Sequence, residues 1–262
     1  MNVGVRPPAV AGLFYPASPQ VLGATVDALL AGARAVVQPP PKAIVAPHAG
    51  YVYSGPTAAV AYNTVAPRAP AVRRVVVIAP AHRVRIRGVA GAGATHLRTP
   101  LGDVPVDTDA LREARIPDDV GAHAREHAVE VHLPFVQRLF PHAKVIPLVV
   151  GDASPEAVGR TLEALWGGDE TLVVVSSDLS HYLPYAEGRA LDQETARSIT
   201  ALEPVAPEQA CGAVAINGLL WLARRRGMRV ECLELRSSGD TAGSRDEVVG
   251  YGAFAVYEGR GS

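Results

Sequence analysis

Three segments of this chain share one construction: a short apolar, β-branched run stops abruptly, and a metal-binding or titratable side chain follows. Lys42-Ala43-Ile44-Val45-Ala46 runs into Pro47-His48-Ala49-Gly50, and Arg74-Val75-Val76-Val77-Ile78 into Ala79-Pro80-Ala81-His82. Thr171-Leu172-Val173-Val174-Val175 runs into Ser176-Ser177-Asp178-Leu179-Ser180-His181. Such runs read as buried strands, and open α/β sheets bind ligands outside the carboxyl ends of their strands. If the three strands lie side by side and parallel, His48, His82, Asp178 and His181 converge. Two imidazoles and a carboxylate on one face form the ligand set of non-haem Fe(II) oxygenases. The competing reading is that Pro47 and Pro80 merely end strands and that the histidines cap loops.

Strands and helices alternate along the rest of the chain. Helical spacing over 19–34 groups Val21, Leu22, Val26, Leu29 and Leu30 on one face, with Ser18 or Pro19 as the start. After the break at 38–41, a helix is expected over 54–65 with Ser54 as its N-cap. Residues 85–107 read as a β-excursion with a turn at 99–103, followed by a short helix over 108–115. A helix over 126–140 is expected to bend at Pro134. Strands are expected at 144–150, 171–176, 229–235 and 248–257, and helices at 154–166, 187–202 and 211–226, the last closed by Gly227. This order predicts an α/β fold with a mixed, largely parallel central sheet flanked by helices, as one domain over residues 1–262.

Charge and cysteine content narrow the function. A net charge of −1 gives no attraction to nucleic acid or an anionic membrane, and no apolar run reaches membrane-span length. Only Lys42 and Lys144 are lysines, and the arginines are scattered rather than clustered. Two cysteines do not make a disulfide scaffold, and residues 1–8 carry no apolar signal core, so a reduced cytoplasmic protein is expected.

Two further groups point to chemistry. Cys211 precedes a long apolar helix, where N–H groups and the dipole lower a thiol pKa and favour a thiolate ligand or nucleophile; the alternative is a small buried hydrophobe. Cys232 alternates with Glu231 and Glu234 and is expected to point inward. Glu126-His127-Ala128-Val129-Glu130-Val131-His132 packs four ionisable groups into seven residues. Its two histidines are five apart, which is not the zinc-protease spacing. It is read either as orienting a metal-bound histidine or binding substrate, or as a solvated helix face. Tyr51, Tyr53 and Tyr182 are candidate pocket walls, and 237–243 a candidate lid. His96, His123 and His142 read as surface residues.

Taken together, these motifs resemble the Memo family, whose prokaryotic members are also called AmmeMemoRadiSam system protein B. The matching pieces are Ala-Gly-Leu-Phe-Tyr-Pro at 11–16, Ala-Pro-His-Ala-Gly-Tyr at 46–51 and Pro-Ala-His at 80–82. Glu-His-Ala-Val-Glu-Val-His-Leu-Pro at 126–134, Ser-Ser-Asp-Leu-Ser-His at 176–181, Cys211-Gly212 and Val-Gly-Tyr-Gly-Ala at 249–253 complete the set. The resemblance implies a class III extradiol dioxygenase-like fold, of the protocatechuate-4,5-dioxygenase beta-subunit type. It implies His48 and His82 as metal ligands, Cys211 at the position a carboxylate occupies in those enzymes, and His181 as acid–base residue. Asp178 is an alternative third ligand and, with Glu126 and His127, a further catalytic candidate. The implied metal is Fe(II), with copper or zinc as alternatives favoured by a thiolate. The implied partners are a small-molecule substrate or ligand and companion proteins of the AMMECR-like and radical SAM families. The implied activity is dioxygenase-like redox chemistry, or non-catalytic metal or partner binding.

Overall fold

The computed structural model describes residues 3–34 and 39–259. Met1 and Asn2 of the N-terminal stretch and Gln38 of the expected chain break lie outside them. In chain order the elements are β1 (Val3–Arg6), α1 (Pro19–Gly32), β2 (Ala43–Ala46), α2 (Tyr51–Val65), β3 (Arg74–Pro80), β4 (Val89–Gly91), β5 (Ala94–Thr99) and β6 (Gly102–Pro105). There follow α3 (Thr108–Glu113), α4 (Val120–Ala124), a 3₁₀ turn (Glu130–His132), α5 (Leu133–Leu139), β7 (Lys144–Val150), α6 (Pro155–Ala164) and β8 (Thr171–Ser176). The chain ends with β9 (His181–Leu183), α7 (Tyr185–Thr200), α8 (Ala213–Arg225), β10 (Arg229–Ser237) and β11 (Val248–Tyr257).

An eight-stranded sheet runs in the order β10-β11-β2-β8-β3-β7-β4, with β9 pairing beside β11. Its four middle strands, β2, β8, β3 and β7, are parallel, and β11, β10 and β4 are antiparallel to their neighbours. The expected mixed, largely parallel sheet flanked by helices is therefore present. Ile44, Val75 to Ile78 and Val173 to Val175 are all 0% exposed. Each such side chain contributes roughly 1.5–3 kcal/mol relative to exposure, which is why these strands read as continuous apolar runs rather than alternating ones. On the sheet, α2 packs against β2, β10 and β11 with α1 beside it, and α8, backed by α6, packs against β3 and β8. A second sheet, β1-β5-β6, carries the N-terminal strand.

Four expectations are corrected. Val21 is 53% exposed, while Leu22 and Val26 of the same helix are 0% exposed. Helix α2 starts at Tyr51 behind Gly50, so Ser54 is inside the helix and its hydroxyl donates to the Ala49 carbonyl. No continuous helix spans 126–140. The Glu126 carboxylate accepts the N–H groups of His127 and Ala128, which holds a turn there. Pro134 lies in the first turn of α5, where its missing N–H costs nothing. Finally, Cys232 is exposed rather than inward: β10 is an edge strand with a register shift between Cys232 and Glu234, and that shift breaks the alternation.

Candidate metal centre

Strand β8 pairs in parallel with β2 on one side and β3 on the other, so the three abrupt strand ends lie next to one another. His48, His82, Asp178 and His181 all line one cleft of about 900 Å³. His127 enters the same cleft from the turn ahead of Glu130, and Cys211 from the loop ahead of α8. The rings of His48 and His82 are 5.1 Å apart, those of His48 and His127 5.4 Å, and those of His82 and His127 4.9 Å. One ring nitrogen from each of the three lies within 4.8 Å of the others.

Each side chain is fixed from behind. His48 is 2% exposed; its Nδ1 is 2.6 Å from Ser176 Oγ, and its backbone N–H donates to Asp178 Oδ1 at 2.8 Å. His82 Nδ1 lies 3.0 Å from Glu126 Oε1, and its backbone N–H donates to Glu126 Oε2 at 2.6 Å. This carboxylate–histidine pair sets the ring orientation and turns His82 Nε2 away from the carboxylate. Burial alone raises the Glu126 carboxyl, but hydrogen bonds from His82 and from backbone N–H groups outweigh it and hold it down to about 2. Glu126 sits behind the histidines rather than in the cleft, with its oxygens already occupied by donors. His127 Nδ1 lies 3.2 Å from Glu126 Oε1 without the alignment of a hydrogen bond, and is a buried nitrogen with no partner. Burial lowers the His127 pKa to about 4 and pushes that of His48 well below its usual value, so both rings are held neutral, the form that ligates metals.

On the other side of His48, Cys211 Sγ lies 3.4 Å from Nε2 and Asp178 Oδ2 lies 4.0 Å from it. The two groups are also tied together, because the Asp178 N–H points to Cys211 Sγ at 3.3 Å. Here the helix-dipole expectation for the thiol is corrected. Burial, joined by the nearby Asp178 charge, raises the Cys211 pKa to about 12, against weaker help from the Asp178 N–H and the Ser177 hydroxyl. Burial likewise raises Asp178 to about 7, partly offset by the His48 N–H. Gly212 permits this packing: a Cβ there would meet the Ser176 carbonyl oxygen at 2.7 Å. His181 starts β9 and pairs with Val249; burial lowers its pKa. Tyr53 and Tyr182 line the cleft, whereas Tyr51 is core and donates to the Val131 carbonyl. Ser238 and Gly243 of the candidate lid form part of the wall, tied by a Gly243 N–H to Ser238 carbonyl bond.

The solvated-face reading of 126–132 is overturned. Glu126, Glu130 and His132 are 1%, 0% and 0% exposed. Glu130 accepts from Arg6 at 2.6 Å, from the Ala9 and Val10 N–H groups and from the Tyr15 hydroxyl, and so anchors the segment that lays Phe14 against the His127 ring at 4.8 Å. His132 contacts Ser176 and Tyr62 behind His48. The five-residue spacing that sends His127 and His132 in different directions was the available signal for these two roles.

His123, read from sequence as a surface residue, is also buried, with Nε2 at 3.1 Å from the Ala90 carbonyl. Burial lowers its pKa to about 4, and that of His132 to about 3. In the unfolded chain both take up a proton near pH 6.5, so folded stability falls as pH drops below that value and continues to fall to about 4 and 3. Thermal melts of metal-free protein between pH 7 and 4 are expected to show this loss, reduced in His123→Gln. A wild-type melting temperature independent of pH over that window would contradict it.

Three imidazoles, one with an unpartnered buried nitrogen, beside a thiol and a carboxyl form a donor set that fits a metal ion. Comparison with known proteins agrees with the motif pattern. The family model described as Memo-like protein matches residues 6–255. A MEMO1 family protein of Archaeoglobus fulgidus is 35% identical over 94% of this chain and 97% of its own length. Relatives of the same description from Aquifex aeolicus and Ignicoccus hospitalis are 35% and 33% identical, over 94% and 95% of this chain and 97% of their own lengths. With the family model spanning nearly the whole chain and relatives aligned from end to end, this protein belongs to the Memo family.

Proposed function

We propose that this protein carries a non-haem metal at the floor of the cleft and uses it for iron-dependent, dioxygenase-like redox chemistry on a small molecule. The observation that carries this reading is the convergence of His48 and His82, at the ends of the parallel strands β2 and β3 that flank β8, with His127 from the facing turn, at the base of an open cleft of about 900 Å³. An Fe(II) ion held there would supply redox and Lewis-acid chemistry; copper and zinc suit the same donors. His48 and His82 are the anchoring ligands, and His127, Cys211 or Asp178 completes the set. Glu126 orients His82. His181, partly exposed on the cleft wall, moves protons for the bound molecule. The parallel strand ends carrying the ligands support the class III extradiol dioxygenase-like architecture. The setting proposed is cytoplasmic, away from membranes and nucleic acid, with AMMECR-like and radical SAM companions; no described helix is long and apolar enough to cross a membrane.

One observation favours a second reading, non-catalytic metal or partner binding. Leu13, Tyr53 and Tyr182, at 80%, 38% and 71% exposure, lie at the cleft. An oxygen-electrode trace with Fe(II)-loaded protein and a catechol panel separates the two: oxygen uptake supports the enzyme, and tight metal binding without uptake supports the second reading.

The third ligand is tested by metal content of protein purified without oxygen, with Cys211→Ser and His127→Ala beside wild type. Buried and protonated, Cys211 gives up its proton to bind, so the expected outcome is that His127→Ala loses more metal than Cys211→Ser. Full metal in His127→Ala with loss in Cys211→Ser would reassign the site to two histidines and a thiolate.

A further inference from the structure

Behind His48 lies a closed chain of hydrogen bonds that the site chemistry does not use. Tyr62 Oη is 3.1 Å from His132 Nδ1, His132 Nε2 is 2.9 Å from Ser176 Oγ, and Ser176 Oγ is 2.6 Å from His48 Nδ1. The Ser176 hydroxyl also donates to the Ala128 carbonyl at 2.8 Å. Tyr62, His132 and Ser176 are each 0% exposed and His48 2%, so these groups must satisfy one another.

A serine hydroxyl has one proton and two lone pairs. With its proton on the Ala128 carbonyl, Ser176 can only accept from both imidazoles. His48 then carries its proton on Nδ1, and His132 carries its proton on Nε2. His132 Nδ1 is left with a lone pair, which accepts from the Tyr62 hydroxyl. Reversing the chain breaks this balance at once. If Ser176 donates to His48, the Ala128 carbonyl loses its donor. If it donates to His132, Nδ1 of that ring becomes a donor, and the Tyr62 proton is left without an acceptor. One proton arrangement pairs every group.

We propose that Ser176 and His132 are positioning residues that lock His48 in the Nδ1–H tautomer, so that its Nε2 lone pair faces the cleft, and that His132 holds the opposite tautomer. The value of this lock for metal binding rests on the function proposed above; the tautomers themselves do not. The lock also makes His48 a donor of electrons and not of protons, which leaves proton transfer to His181. Glu126 does for His82 what Ser176 does for His48, through a charged acceptor instead of a neutral one.

Long-range ¹H–¹⁵N correlation spectra of the metal-free full-length protein read imidazole tautomers directly. His48 is expected with its proton on Nδ1 and His132 with its proton on Nε2. An Nε2–H His48 in wild type overturns the proposal without any variant. Ser176→Ala is expected to give a mixed His48 tautomer and about 10- to 100-fold weaker Co(II) binding, with Ser176→Thr restoring both. An unchanged His48 spectrum in Ser176→Ala overturns the lock. Wild type that shows the assigned tautomers but does not bind Co(II) would overturn the metal reading and leave the tautomer assignment supported.

Discussion

The double substitution His48→Ala/His82→Ala is expected to reduce bound metal from near stoichiometric to background, the largest functional effect in this protein. Both rings are oriented from behind, His48 by Ser176 and His82 by Glu126, so neither position can be replaced by a mobile neighbour. Loss of an orienting partner alone costs roughly 10- to 100-fold in metal affinity, and removing two of the proposed ligands costs more. His181→Ala is expected to keep its metal and lose turnover, because His181 lies on the cleft wall outside the three-imidazole group. Metal analysis of anaerobically purified protein checks the metal of both variants, oxygen uptake checks the turnover of His181→Ala, and stoichiometric metal in the double variant would overturn the site.

Glu130→Ala is expected to be the most destabilising single change, by about 3–5 kcal/mol, because it leaves a buried guanidinium without its counter-charge. The Arg6–Glu130 pair is 2.6 Å long with side chains 6% and 0% exposed. The same carboxylate serves the Ala9 and Val10 N–H groups and the Tyr15 hydroxyl, so all of them lose their acceptor together. Urea denaturation measures the effect. A loss under about 1 kcal/mol would mean that water reaches these groups and that the N-terminal segment is not anchored through Glu130.

Much of the site could be seen in the chain itself. The pattern of apolar run, stop and ligand located His48, His82, Asp178 and His181, because strands buried on both faces must be continuously apolar and their ends are where a parallel sheet opens. The Glu126–His132 segment stands out by its density of ionisable groups, yet the helix its spacing predicts is absent there. Helical periodicity is a local signal, and the carboxylate of Glu126, bonding to His82 at a distance of 44 residues, overrides it. Cys211 shows the same limit: its position ahead of a helix is local, but burial and the nearby Asp178 charge raise its pKa.

The sequence by itself determined that His48, His82, Asp178 and His181 follow the ends of buried strands, and the family to which the chain belongs. Only the tertiary structure decided that His127 joins His48 and His82, that Glu126 and Glu130 are buried anchors, and that Ser176 and His132 stand behind His48. Strand ends announce themselves through composition, because burial on both faces dictates residue type along the chain. Which side chains then share one hydrogen bond depends on the packing of segments more than 40 residues apart, and no local pattern encodes that.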